Sequence, residues 1–323
     1  MVSNLSRPFT AVLPVRFTHT DPAGYVFFPR YFDMLHEVME DWFTNAIGFR
    51  FADLILNRRI GTPTASIQCN FLRPCQLGEQ ILVAVRLEHI GNTSFRLRFQ
   101  GSVGGELHVD ALLTLVVITL GNGRPLRIPD DLRARMEEYR EIDAPMVAAP
   151  PLVTRQPELA REPAALKTRV ASIPFRASYP VRFTHTDPAG YVFFPRYFDM
   201  MQAAVEDWFT DALSQPYAEL YNLRRLGTPA AATQARFVHP SRFGDRLSIA
   251  VHLEEIGNTS MRLRFLGTVA DELRLEAMST LVMISLDDGH TRSIPDDLRS
   301  RMEDYRRLQN SRLGIVEVEC GSA

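Results

Sequence analysis

The sequence predicts an α+β chain built from two copies of one unit, each a long apolar helix laid against an antiparallel sheet. Three observations carry this. Residue n matches residue n+166 without a gap from Pro14 to Arg140, and about 74 of those roughly 127 positions are identical. One stretch in each copy has apolar residues three and four apart. The rest of each copy alternates with period two between tight turns. The repeat is too long for a solenoid, so each copy is read as a domain. The predicted division is residues 1–140 and 173–323, joined by a linker at 141–172.

The first copy reads as follows. Val12–Thr20 alternates as a strand does, and Asp-Pro-Ala-Gly after it is turn chemistry. From Pro29 to Ile47 apolar residues recur at Tyr31, Phe32, Met34, Leu35, Val38, Met39, Trp42 and Phe43, the stripe of a buried helix. Pro29 suits a first helical turn and Gly48 a C-terminal stop. Ala52–Arg59 is a short, weak helix. Gly61-Thr62-Pro63 opens a strand to about Leu72. Gln80–His89 alternates cleanly, Gly91-Asn92 is a hairpin signal, and Thr93–Val103 and Glu106–Leu120 follow as long strands. Ile128-Pro129-Asp130-Asp131 leads into a last helix, Leu132–Arg140. Consecutive strands with tight turns form an antiparallel sheet, and the one long helix is most economically buried on its concave face. Two such units side by side would hide sheet edges by pairing them.

The linker is rich in Pro and Ala and has no amphipathic period. In an extended polyproline form, about 3.1 Å per residue, it spans on the order of 100 Å. A short apolar run at 313–318 receives no assignment.

Composition narrows the function classes. The chain has 323 residues, 46% of them hydrophobic and 23% charged, with a net charge of −2. That balance fits a globular protein and gives no global field toward nucleic acid or an anionic membrane. Cys69, Cys75 and Cys320 form no CxxC pair and read as reduced thiols of a cytoplasmic protein. No signal peptide is evident at the N-terminus and no apolar run spans a bilayer. Lys167 is the sole lysine among 36 basic residues, a bias that reads as genome composition.

The candidate chemistry lies in Pro14–Met34, PVRFTHTDPAGYVFFPRYFDM, which recurs letter for letter as Pro180–Met200. It places Asp21 and Asp187 on a turn just before a helix N-terminus. An Asp before Pro nucleates turns. It also stands beside backbone N–H groups that can polarise a carbonyl, where a carboxylate acts as base or nucleophile. Together these parts suit acyl transfer or acyl hydrolysis.

The stretch FTHTDPAGYVFFPRYF, followed by GTP and by an F-x-x-P/C-x-x-x-G-[ED] pattern before a strand, resembles the hotdog-fold acyl-CoA thioesterases of the 4-hydroxybenzoyl-CoA thioesterase group. The resemblance covers Pro14–Leu120 and Pro180–Leu286. It implies a double hotdog, an intramolecular dimer with active sites at the interface, and a further homodimer remains open. It implies that the substrate is an acyl-CoA, aromatic by resemblance, hydrolysed to a free acid and CoA. Coenzyme A enters only as part of the substrate, and neither metal nor cofactor is expected. Asp21 and Asp187 match the catalytic aspartate, Phe28 and Phe194 the position whose backbone N–H polarises the carbonyl, and Gly24 and Gly190 permit close backbone approach.

Other positions have two readings each. His19 and His185 stand where the family often has an acid; on a strand, residues i and i+2 share a face, so His19 would meet Asp21, or it is simply bonded at a sheet end. His36 and Gln202 fall where the aromatic-acyl enzymes meet the ring hydroxyl, and they differ from each other. Thr62 and Thr228 line the acyl pocket or cap a strand start. Arg96 with Arg98, and Arg262 with Arg264, share strand faces and would bind CoA phosphates or solvate the sheet. Trp42 and Trp208 read as core. Two other functions compete: a hotdog hydratase using His19 with Asp21 on an enoyl or hydroxyacyl thioester, and a non-catalytic acyl-thioester binder.

Overall fold

Alternation along three consecutive strands sets the first sheet. Ile81, Val83, Val85 and Leu87 point inward from β4 (Gln80–Ile90), Phe95, Leu97 and Phe99 from β5 (Ser94–Val103), and Val109, Ala111, Leu113 and Leu115 from β6 (Glu106–Val116). The register places Phe95 opposite Leu115, Leu97 opposite Leu113 and Phe99 opposite Ala111. These pairs make one apolar face. Against it lies α1 (Phe28–Asp41), whose stripe is buried from Tyr31 to Met39. The helix continues through a wider π-type turn at Trp42–Ile47 and stops at Gly48, whose φ of 84° is left-handed. Trp42 is fully buried and stacks 6.2 Å from Phe95.

The computed structural model describes residues 8–142, 147–152 and 175–313. Within them the chain forms two compact units. The first takes Met1–Thr154 together with Thr184–Tyr197 and Ala232–Phe237, and the second takes Arg155–Phe183, Phe198–Ala231 and Val238–Ala323.

The remaining elements of the first repeat are β1 (Thr10–Pro14), α2 (Phe51–Leu56), β2 (Ile60–Gly61), β3 (Thr64–Phe71), β7 (Ile118–Thr119) and α3 (Asp130–Arg140). The second repeat gives β8 (Arg176–Pro180), α4 (Pro195–Asp207), α5 (Tyr217–Asn222), β9 (Leu226–Gly227), β10 (Ala230–Phe237), β11 (Arg246–Ile256), β12 (Ser260–Val269), β13 (Glu272–Val282), β14 (Ile284–Ser285) and α6 (Asp296–Leu313). In the first unit the strand order is β1-β4-β5-β6-β3-β10, and in the second β13-β12-β11-β8. Within each unit the ladders between neighbouring strands are antiparallel. No helix among the described residues is long and apolar enough to cross a membrane.

The pairing of β3 with β10 joins a strand of the first repeat to its own counterpart in the second. Gln68 stands opposite Gln234, Ser66 opposite Arg236 and Asn70 opposite Ala232. Because 234 is 68+166, the ladder is its own image when the repeats are exchanged. The expected edge-to-edge pairing is therefore met at this strand, which also removes an exposed edge.

One expectation needs correction. The first strand ends at Pro14, and Phe17–His19 wind into a 3₁₀ turn with Phe17 exposed. Alternation in VRFTHT reflects a polar loop that happens to have period two. The linker expected at 141–172 lies mostly outside the described residues; of it, 147–152 is described and is bonded to the sheet. Gln100 Nε2 donates to the Val147 carbonyl at 2.9 Å and Gln100 Oε1 accepts the Val147 N–H at 2.8 Å, while Asn70 donates to Pro151 O at 3.3 Å. Gln100 alternates with inward Phe99, so this piece lies on the sheet face away from α1. Cys320, and the apolar run from residue 314 on, lie outside the described residues.

Candidate active site

The loop after the 3₁₀ turn is built by the aspartate itself. Asp21 Oδ1 accepts the N–H of Ala23 at 2.9 Å and of Tyr25 at 3.2 Å, and its carbonyl accepts Gly24 N–H at 2.9 Å. Gly24 has φ 84°, which a side chain would strain. The second copy repeats this, with Asp187 Oδ1 2.9 Å from Ala189 N and 3.2 Å from Tyr191 N, and Gly190 at φ 77°. The turn-forming role is therefore real, and it engages one carboxylate oxygen. Among the described residues, Oδ2 of Asp21 and of Asp187 has no hydrogen-bond partner. Burial pushes both carboxyls above the ordinary 3.8, against the opposing pull of the loop N–H groups, and at Asp187 also of His36. A half-buried carboxylate of raised basicity is a better proton acceptor near neutral pH.

The loop delivers the chain to a helix start. Val26 N–H bonds Cys75 O at 2.8 Å and Phe27 N–H bonds His19 O at 2.9 Å, which fixes the entry to α1. Phe28 is the first residue of α1 and Phe194 the one preceding α4. First-turn amides have no acceptor within their own helix, and the dipole makes this end positive. Pro29 and Pro195 sit where a missing N–H costs nothing.

Placement of the other candidates is uneven. His19 does not meet Asp21. On the 3₁₀ turn, residues i and i+3 eclipse and i, i+2 no longer share a face. His19 Nδ1 instead accepts the Arg16 N–H at 3.1 Å, and burial, then Arg16 and Arg30, lower its pKa. His185 occupies the equivalent turn, Phe183–His185.

His36 reaches the Asp187 loop of the second repeat, a meeting that the sequence does not indicate. Its ring lies 4.7 Å from that of Phe193 and 6.1 Å from that of Phe194, and its proximity draws the Asp187 pKa down against burial. The loop of the second repeat thus meets the helix of the first within one unit. Phe32 lies 6.3 Å from Phe194, and Arg196 pairs with Asp33, which Arg30 also binds at 2.7 Å. Gln202, the counterpart of His36, donates to Glu206 Oε1 at 3.1 Å. Thr62 and Thr228 are both buried, beside β2 and β9.

The arginines expected to bind phosphate are otherwise engaged. Arg98 grips fully buried Asp110 through Nε at 2.9 Å and Nη2 at 2.7 Å and reaches Glu88 at 3.5 Å. Arg264 is itself buried and pairs with Glu254 at 3.1 Å and Glu276 at 3.9 Å. A buried carboxylate needs such a partner, so these two arginines hold the sheet together. Arg262 pairs with Glu255, and Arg96 is exposed. No cluster of three or more His, Cys, Asp or Glu placed to hold a metal ion occurs among the described residues.

Comparison with known proteins adds the following. The model of the thioesterase-like superfamily matches twice, over residues 15–136 and 181–302. The chain is similar to the 1,4-dihydroxy-2-naphthoyl-CoA hydrolase of Nostoc punctiforme, 26% identical over 132 residues, which is 41% of this chain and 88% of that protein. It is 31% identical over 99 residues to the enzyme of that name from Prochlorococcus marinus strain NATL2A, 28% of this chain and 63% of the other. Among solved structures, a putative oleoyl thioesterase from Lactobacillus plantarum aligns with TM-score 0.64 at 15% identity, over 92% of this chain and all of the other. The 12:0-ACP thioesterase of Umbellularia californica aligns with TM-score 0.62 at 12% identity, over 85% of this chain and 97% of that one. At these identities the structural likeness is one of fold.

Proposed function

The chain belongs to the thioesterase-like superfamily through both of its repeats, and from that premise we propose that it hydrolyses an aromatic acyl-coenzyme A with Asp21 and Asp187 as its catalytic carboxylates. Its fold is α+β, a double hotdog, and it is a thioester hydrolase by family. The reaction is acyl-S-CoA plus water giving a carboxylic acid and CoA thiol.

One observation supports the assignment above the rest. Each aspartate binds its own loop through Oδ1 and leaves Oδ2 without a partner among the described residues, at the entry to a helix. In this reading the thioester carbonyl oxygen points at the amide of Phe28 or Phe194. The carboxylate attacks the carbonyl carbon, or draws a proton from the water that does. The amides and helix dipole stabilise the tetrahedral oxyanion, which collapses as the C–S bond breaks and the thiolate takes up a proton; where the carboxylate itself attacks, the mixed anhydride so formed is then cleaved by water, releasing the acid and restoring the aspartate. Gly24 and Gly190 keep the loop bare of side chains where the substrate approaches. His36 and Gln202 contact the acyl group. An aromatic acyl group suits the rings grouped at the helix starts, Phe28, Phe32 and Phe71 with Phe194, and it matches the named substrate of the relatives.

The hydratase alternative relied on His19 beside Asp21, and His19 is held by the Arg16 amide instead. The deciding experiment is a thiol-release screen across aromatic and aliphatic acyl-CoAs. Turnover fastest on aromatic thioesters is expected. Tight binding without thiol release would identify a binder, and a change in double-bond absorbance without thiol release a hydratase.

A further inference from the structure

The two repeats keep the same threonine but treat its hydroxyl differently. Thr228 is 5% exposed and its Oγ1 lies 2.9 Å from the Tyr217 hydroxyl. Thr62, 7% exposed, has a fully buried Oγ1 with no hydrogen-bond partner among the described residues. The cause is one substitution between the copies: position 51, the counterpart of 217, is Phe. Buried hydroxyls are nearly always paired, because an unpaired one loses its hydration for nothing. Thr62 cannot easily turn away to find a partner. Gly61 before it is pressed so close to Leu120 that an added Cβ would come within 2.7 Å of Leu120 Cδ2, and the Pro63 carbonyl after it accepts Val116 N–H at 3.0 Å.

The surroundings give the hydroxyl a use. The Phe51 ring, which by the repeat stands where Tyr217 meets Thr228, lies 5.9 Å from the His36 ring. His36 lies 4.7 Å from Phe193 and acts on the charge of Asp187. Asp187, His36, Phe51 and Thr62 all belong to the first unit, and the Thr62 hydroxyl has no partner among the described residues.

We propose that Thr62 is a specificity-determining residue of the Asp187 site, where its hydroxyl bonds a polar substituent, such as a ring hydroxyl, on an aromatic acyl group. The second repeat has given up this role, because Tyr217 already occupies the Thr228 hydroxyl. The two halves of the chain therefore select different acyl groups. The proposal rests on reading the Asp187 loop as an acyl-thioester site.

The test uses the full chain. In a D21N background, where turnover reports on Asp187, the ratio of kcat/KM for 4-hydroxybenzoyl-CoA over benzoyl-CoA is measured. T62V, which removes the hydroxyl at constant shape, and F51Y, which installs the pairing the second repeat already tolerates, should each lower that ratio about tenfold, the worth of one well-made hydrogen bond. A parallel arm measures binding of the non-hydrolysable thioethers 4-hydroxyphenacyl-CoA and phenacyl-CoA. Both variants should remove the preference for the hydroxylated analogue at one site per chain. Ratios within twofold of the parent in both arms overturn the proposal, as does failure of the parent to bind 4-hydroxyphenacyl-CoA. Thioether discrimination that depends on Thr62 in a chain that releases no thiol would sustain the subsite and overturn the hydrolytic function instead.

Discussion

The imidazole of His36, on the helix of the first repeat, lies 4.7 Å from the ring of Phe193, on the Asp187 loop of the second. The relationship ties a helix to a loop 157 residues away and makes the Asp187 site a joint product of both repeats. The equivalent helix position, Gln202, carries no imidazole. Duplication has thus let the two helix positions diverge while the two loops stay identical in sequence. A single-repeat homodimer has no such freedom, since any change appears in both sites.

Asn is the informative replacement at the two aspartates. Its side-chain oxygen keeps the Oδ1 role toward the loop amides, while the amide nitrogen abolishes basicity and nucleophilicity. D21N with D187N should lower kcat at least 10³-fold with circular dichroism and thermal midpoint retained, whereas either single variant keeps part of the activity. D21A also removes the acceptor for Ala23 and Tyr25, and should cost about 1–2 kcal/mol in denaturant titrations. Wild-type turnover in the double Asn variant would remove both residues from the mechanism.

The raised carboxyl pKa values predict a sign for stability against pH. An acid that holds its proton more tightly when folded stabilises the fold below the unfolded value of 3.8 and loses that contribution as pH rises through the folded value. Above that window the ionised carboxylates carry their burial cost. The double Asn variant should therefore be at least as stable as the parent at pH 7 and should lose its advantage near pH 3.5. In kinetics, the acidic limb of kcat/KM should titrate above 3.8. Greater stability of the parent at neutral pH would reverse the sign.

Arg98 separates a phosphate-binding role from a structural one. R98A leaves Asp110 buried without its bidentate partner and should destabilise the protein by about 3–5 kcal/mol, with little change in KM for the acyl-CoA. R96A, at an exposed site, should change stability by less than about 0.5 kcal/mol. A rise in KM on R98A without loss of stability would restore the phosphate reading.

Trp42 tests the helix–sheet core. Fully buried, it packs against Phe43, Phe95 and Tyr139 at 5.0, 6.2 and 5.5 Å. W42A should cost about 3–5 kcal/mol in urea unfolding. A loss below 1 kcal/mol would mean that the helix is not seated on the sheet as described.

Local rules decided much of this protein from the sequence alone. The three- and four-residue spacing from Tyr31 to Phe43 has only one good solution, a helix with its stripe buried, and Gly48 is the one residue that can end it at positive φ. The clean alternation of Gln80–Ile90 and the Gly91-Asn92 turn likewise encode a hairpin, and the Asp-Pro-Ala-Gly loop encodes its own shape through Oδ1. Each depends on contacts within a few residues. The stretch Val15–Thr20 shows the limit: its period of two is real, but the pairing with the β4 side ends at Val15, whose N–H bonds Glu79 O at 2.8 Å, and Phe17–His19 then turn.

What only the tertiary structure decided is which distant groups meet. That Gln68 faces Gln234, that His36 lies over Phe193, that Arg98 is taken by Asp110, and that Thr62 lacks the partner Thr228 has, are all matters of register between segments far apart in the chain. Side-chain periodicity states which face a residue occupies. It does not state what stands opposite, because long-range pairing is set by the packing of whole elements and not by the pattern within any one of them.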